Sequence, residues 1–345
     1  MDFIRQFLYI LRIRSLIIDL VLWVLVLIVS IFMLSKSADW TADSVLALGH
    51  QLKTTKIALG LILVSMLYVL PELLVSLLAA VEGEYEIAFG NIIGSNIGNI
   101  AFMIGLPAMF STLLVPRRMI VRDGIFLMVA TIASFAFMLD GMVSQTEGLV
   151  LLSLSVFYII NVFEQEKLEA PEERKMEMEE VAIRSELLTT LIGRSIEVKS
   201  PHASFALGII VSLVSADLLV RSTVSIAGIL GTSELLLGMF VVGLGTSLAD
   251  IATAIAAVRK GHGDLAIAGC LGANLFTLLI VLGLTALISP LPILKETFLL
   301  SGCVFIAMTS MFFVYMITMK IGKLKGLTLL LVYMVFLVLS VILEV

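Results

Sequence analysis

The chain has 345 residues, 60% of them hydrophobic and only 14% charged, with a mean hydropathy of +1.14 and a formal charge of −5. A soluble domain carries about 45–50% apolar residues, so a soluble globular enzyme is excluded. Without a basic face nucleic-acid binding has no support, and the two cysteines, Cys270 and Cys303, both in apolar runs, supply neither a disulfide framework nor a thiolate metal cluster.

The opening MDFIRQFLYILRIRS leads into an apolar run too long for a signal-peptide core and lacks a small-residue cleavage site, so it is read as part of the mature chain. Apolar runs able to cross a hydrocarbon core of about 30 Å fall near 17–48, 55–81, 87–113, 119–139 and 147–163. A second set falls near 203–230, 234–258, 264–289, 296–317 and 326–344. This predicts an all-α polytopic membrane protein of ten transmembrane helices, the first and sixth long enough to tilt and the fifth short.

Between the fifth and sixth runs lies the only substantial hydrophilic segment, 164–200, with ten acidic and six basic residues. It reads as a solvated linker; a short surface helix and a regulatory or ion-sensing role are open alternatives. It divides the chain into a first five-helix half, 1–163, and a second, 201–345. Lysines and arginines set orientation. Lys53, Lys56, Arg117, Arg118, Arg122, six in the central segment, Arg259, Lys260, Lys320, Lys323 and Lys325 make 16 on one side, against Arg5, Arg12, Arg14 and Lys295 on the other. This predicts a cytoplasmic central segment with both termini outside; the three arginines before the first run argue the other way.

An internal repeat runs at a constant offset of 178 residues. Ser37-Ala38-Asp39 recurs as Ser215-Ala216-Asp217, Ser44 as Ser222, Thr54 as Thr232, Gly60 as Gly238, Gly83 as Gly261, Gly94 as Gly272, Asn96 as Asn274 and Gly105 as Gly283. Glu72 falls on Asp250, and Glu86 on Asp264. Five spans separate equivalent helices, and five is odd, so the second copy enters the membrane from the opposite side. Inverted repeats are a common plan of secondary transporters, whose site lies near midplane between the repeats.

Glu72 stands about halfway along the second run, directly after Pro71, which removes a backbone donor and disturbs the preceding turn. A carboxylate at that depth is costly unless paired, protonated or bound to an ion. Inverted symmetry can bring Glu72 and Asp250 together, where their repulsion favours a divalent cation or protons between them. Hydroxyl, amide and carbonyl oxygens would complete the six to eight ligands that calcium commonly takes; magnesium would demand a tighter octahedron.

In the third run, Ser95 and Asn99 are four apart and can share a face; in the seventh, Thr246 and Ser247 precede Asp250 by four and three residues. Each is open between cation coordination and ordinary packing or backbone bonding. Thr277 in the eighth run is a further candidate partner, whereas Ala273 cannot ligate through its side chain, so the site should be asymmetric. Asn96 and Asn274 read as ties between helices. Asp217 and Arg221 can form an intrahelical ion pair, at a helix end or as a gate, and His50, His202 and His262 lack metal-ligand spacing.

At these residues the sequence resembles the sodium/calcium exchanger superfamily, also called the cation/calcium exchangers. PELLVSLLAAVEG and GNIIGSNIGN look like its first alpha repeat, about 55–113, and GTSLADIATAIAAVRKG and GANLFTLLIVLG like the second, about 234–289. The resemblance covers essentially the whole transmembrane chain. It implies ten helices, a cytoplasmic central loop, and alternating access by movement of the first and sixth helices. It also implies cation ligation by Glu72, Asp250, Ser95, Asn99, Thr246 and Ser247. The chain departs from the pattern at Tyr68, Val69 and Leu70 in place of GTS, at Ala249-Asp250 in place of PE, at Ala273 in place of serine and at Thr277 in place of Asn or Asp.

These departures remove side-chain oxygens and speak against a stoichiometry of three sodium ions for one calcium; fewer sodium sites, proton coupling and another divalent ion are open. The reading is a secondary active antiporter in a cell or prokaryotic inner membrane, performing no covalent chemistry and holding no cofactor. It exchanges a divalent cation, foremost calcium, for sodium or protons. Its partners are the lipid bilayer and inorganic cations; a monomer suffices and a homodimer is open. The competing reading is a membrane scaffold or ion sensor that keeps the fold without transporting.

Overall fold

The computed structural model describes residues 2–51, 69–167, 200–293 and 295–343. Helix α1 is Asp2–Gln51, a single 50-residue element whose apolar stretch is Arg14–Thr41. Helix α2 is Leu70–Glu82, α3 Tyr85–Ala108, α4 Arg117–Met138 and α5 Gln145–Lys167. In the second half, α6 is Pro201–Leu230, α7 consists of two arms, Glu234–Thr246 and Leu248–Arg259, α8 is Gly263–Ile288, α9 Lys295–Ile317 and α10 Lys323–Leu343. Among the described residues eight helices are long and apolar enough to span a membrane, and the bent α7 makes nine. The remaining expected span is represented by α2. The start of that span and residues 168–199 of the central segment lie outside the described residues.

The fold is therefore an all-α membrane bundle, and among the described residues its halves repeat in register. The sharpest evidence lies in the loops. Strands β1 (Leu113–Leu114) and β4 (Lys320–Ile321) form a two-residue antiparallel bridge with Leu113 opposite Ile321. Strands β2 (Met142–Val143) and β3 (Leu291–Pro292) form the other, with Val143 opposite Leu291. Adding 178 to Leu113 gives Leu291, and subtracting 178 from Ile321 gives Val143, so the two bridges are the same pairing carried out twice in the same register. The flanking hydrogen bonds repeat too, Val115 N to Met319 O at 3.0 Å and Ile293 N to Gly141 O at 2.8 Å. Even the left-handed turn residues correspond, Gly141 at φ 93° with Met319 at φ 57°, and Gly83 at φ 90° with Gly261 at φ 94°.

Burial separates the centre from the periphery. In α3, 94% of the apolar window is buried inside the protein, against 11% in α1. Helix α3 can be enclosed because glycines let backbones touch it: a Cβ on Gly243 would sit 2.8 Å from Ser95 N, and one on Gly94 would collide with the Met239 backbone. Helix α1 instead turns Leu22, Leu25, Ile28, Val29 and Phe32 outward, as a lipid-facing helix must. It packs along α6 through hydroxyls and small residues, with Ser37 Oγ 2.7 Å from Ser212 Oγ.

The fifth and seventh spans differ in how they meet expectation. The fifth apolar span is the shortest of the eight, 18 residues over Gln145–Val162, as expected, although its helix runs 23 residues from a reciprocal cap in which Ser144 N donates to Glu147 Oε2 at 2.8 Å and Glu147 N to Ser144 Oγ at 3.4 Å. It also continues through polar residues to Lys167. The seventh span is not one continuous helix but bends by 49° after Thr246.

Candidate cation-binding site

The two acidic residues occupy matching backbone positions. Helix α2 begins at Leu70 with Pro71 in its first turn, where a missing N–H costs nothing, and Glu72 is the third helical residue. The second arm of α7 begins at Leu248, and Asp250 is its third residue. The first closing hydrogen bonds are equivalent, Leu73 N to Val69 O at 3.0 Å and Ile251 N to Ser247 O at 3.0 Å. A fresh helix N-terminus inside the bundle offers unpaired N–H groups and the positive end of the helix dipole to each carboxylate. The α7 break contains no proline; Ser247, at φ −87° and ψ 0°, leaves the helix after the glycine-bearing turn Gly243–Thr246.

The side chains then converge across the halves. Glu72 and Asp250 are 3% and 6% exposed, and they are close enough for the charge of Asp250 to act on Glu72. Ser247 Oγ donates to Glu72 Oε1 at 3.1 Å, and Thr246 lies beside the same carboxylate. Ser95 is fully buried on α3 and gives its hydrogen to Ile92 O at 3.1 Å, which leaves its lone pairs for another partner. Asn99 donates through Nδ2 to Asn274 Oδ1 at 3.1 Å, and Asn274 Nδ2 donates to Asn96 O at 3.0 Å, so Asn274 ties α8 to α3 as expected. Thr277, buried, opens the π-helical turn Thr277–Val281 of α8 just as Asn99 stands before Ile100–Gly105 in α3. At the offset of 178 the two π turns begin within one residue of each other, next to the candidate ligands.

Among the buried side-chain oxygens that lack a hydrogen-bond partner in the described residues are three on α2 and α3 near the site, Glu72 Oε2, Asn96 Oδ1 and Asn99 Oδ1. Leaving such acceptors dry is expensive, and a cation satisfies them. The donor set is all oxygen: two carboxylates with neutral hydroxyls and amides. Among the described residues no group of three His, Cys, Asp or Glu could hold a metal ion. That inventory fits a hard cation passing through as cargo better than a tightly held transition metal.

Asn91 is the residue that sequence reasoning left without a role. It is fully buried on α3, donates through Nδ2 to Glu72 O at 3.1 Å and Ser76 Oγ at 2.8 Å, and accepts at Oδ1 from Thr246 Oγ1 at 3.2 Å. Its one signal in the sequence is an amide inside the small and apolar run AFGNIIG. Asp217 and Arg221 do form the expected intrahelical pair, at 2.9 Å, and Arg221 also reaches Glu82 at 3.5 Å, linking α6 to the end of α2. The Tyr68 departure and the side chain of His50 lie outside the described residues.

Comparison with known proteins agrees with this geometry. The family model described as sodium/calcium exchanger protein matches residues 22–163 and 201–342. The chain is 30% identical over 269 residues to the putative antiporter CaxA of Alkalimonas amylolytica, covering 76% of this chain and 80% of that protein. It is 26% identical over 343 residues to the sodium/calcium exchanger MaX1 of Methanosarcina acetivorans, covering 91% and 97%. Among solved structures, the sodium-calcium exchanger NCX_Mj superposes with a TM-score of 0.59 at 23% identity, covering 91% of this chain and 97% of that one, which shows the same fold.

Proposed function

Because the chain belongs to the sodium/calcium exchanger protein family and is thus a secondary active cation antiporter, we propose that it carries calcium against sodium or protons through the site between Glu72 and Asp250. The observation that carries this reading is the Ser247 to Glu72 bond, which joins the two inverted copies at their buried carboxylates. One cation set occupies the site, offsets the two negative charges, and permits the helices to reorient; the counter-ion set then returns. Ser95, Asn99, Thr246, Ser247 and Thr277 complete the oxygen shell. Calcium is favoured over magnesium because hydroxyl and amide ligands on separate helices make a large, adaptable shell.

The moving part is the α1–α6 pair. Its mutual contact through small side chains, Ser37 on Ser212 and Thr41 against Gly208, suits sliding better than interlocked bulky residues would. The halves are 1–163 and 201–345, joined by the linker 164–200, with the alpha repeats near 55–113 and 234–289. One chain contains both halves of the site, so a monomer suffices for transport. The 16-to-4 excess of Lys and Arg supports a cytoplasmic linker and outside termini in a cell or prokaryotic inner membrane. A cysteine introduced into the linker should react with an impermeant maleimide in inside-out vesicles and stay unlabelled in right-side-out cells.

The deciding experiment is a gradient-swap flux assay in defined liposomes, testing calcium, magnesium and manganese against sodium, potassium and protons. Calcium uptake driven by an outward sodium or proton gradient, and abolished in Glu72→Gln, is expected. Uptake that survives loss of both Glu72 and Asp250 would sink the site.

A further inference from the structure

We infer that Asn91 is a positioning residue for transport, one that fixes Thr246 as an acceptor towards the cation and holds its helix in register with Glu72. The inference rests on reading Thr246 as a ligand. The orientation of the Asn91 amide is not free. The Glu72 backbone carbonyl can only accept, so the NH2 group must face it, at 3.1 Å, with its second hydrogen on Ser76 Oγ at 2.8 Å. Oδ1 is thereby turned to the Thr246 hydroxyl, which lies within donating distance at 3.2 Å, as it does of Gly243 O at 3.2 Å.

A threonine hydroxyl has one hydrogen and two lone pairs. If that hydrogen points at the Glu72 carboxylate beside it, it competes with a cation for the same oxygens. The hydroxyl also bonds the Glu72 carboxylate; with a cation present, giving its hydrogen to Asn91 Oδ1 turns its lone pairs to the ion. Asn91 thus supplies an acceptor on the far side of the hydroxyl while bonding the first turn of α2. It joins three elements, α2, α3 and the first arm of α7, at the turn before the 49° bend.

The repeat supports the pairing. At the offset of 178, Asn91 corresponds to Gly269 and Thr246 to Tyr68. The amide and the small threonine hydroxyl stand together in one copy, and in the other both are replaced, the amide by no side chain and the threonine by a bulky phenol. That is the pattern of a working pair, and it is not required by packing of α3, whose close approaches are made at Gly90 and Gly94.

Calcium-45 uptake by the full chain in proteoliposomes tests this, reading half-saturation separately from maximal rate. Asn91→Leu, nearly isosteric, is expected to raise half-saturating calcium by about ten-fold or more, as loss of an orienting partner commonly does, with the maximal rate per folded protein largely kept. Thr246→Val is expected to do the same, and the double variant to be no worse than the worse single one, because both break one bond. A purely structural Asn91 would lower the maximal rate and leave half-saturation alone, overturning the inference. So would a double variant whose effect is the product of the two singles, or a silent Asn91→Leu beside an impaired Thr246→Val. A silent Thr246→Val with Glu72→Gln inactive would overturn the reading of Thr246 as a ligand instead.

Discussion

The two acidic half-helices share a backbone plan and differ in what surrounds their carboxylates. Glu72 and Asp250 are each the third residue of a helix that starts inside the bundle, each behind an equivalent first hydrogen bond. On the α7 side Thr246 and Ser247 bring two hydroxyls; at the matching positions on the α2 side stand Tyr68 and Val69. Duplication has therefore kept the devices that shape the chain, namely helix starts, π turns, left-handed turns and bridge register, while side-chain oxygens diverged. On the proposed reading, backbone symmetry serves exchange between two rotation-related states, and chemical asymmetry sets the choice of ion.

The comparison can be broken hardest at the carboxylates. Glu72→Gln and Asp250→Asn should each lower calcium flux by about 100-fold or more, since a carboxylate-to-cation contact away from water is worth several times the roughly 1.4 kcal/mol of one decade. If only one of them mattered, the two half-helices would not be a shared site. Next comes Ser247→Ala, which removes one oxygen of the proposed shell beside Glu72; at about 1.4 kcal/mol per decade, loss of one such ligand should raise half-saturating calcium by about ten-fold. The reciprocal change, Val69→Ser, restores a hydroxyl to the impoverished copy and should shift half-saturation by less than Ser247→Ala does, in the same flux assay.

A third test addresses the backbone plan. Gly94→Ala forces a methyl into the Met239 backbone and should lower stability by about 1–3 kcal/mol, seen as a reduced midpoint of thermal unfolding in detergent. Smallest of all is Arg221→Gln, which removes the half-exposed contacts to Asp217 and Glu82; the change in transport rate should be slight and should vanish at high salt.

Much of this could be read from residue order because the repeat is gapless. An offset established from Ser37, Gly94 and Asn96 already carries Leu113 onto Leu291, and the bridge register follows from it. The acidic pair was equally visible, since charge inside an apolar run is rare and needs a reason. The α7 break was not, because it arises without proline, from glycines that elsewhere in the same chain sit in unbroken helix. Asn91 was missed for a different reason: its partners Glu72 and Thr246 are 19 and 155 positions away, and only packing of α2, α3 and α7 joins them. The shortness of the fifth span was legible in hydropathy, whereas its cap at Ser144 and Glu147 and its polar extension to Lys167 lie where hydropathy stops.

The paired bridges have a consequence for descent. Leu113 finds Ile321, and Val143 finds Leu291, so neither half closes its own turns; each borrows its strand partner from the other, once on each face of the membrane. A single-copy ancestor of this chain would have had no bridge until two molecules, inserted in opposite senses, clasped one another. An inverted pair joined into one chain would carry that clasp in every copy.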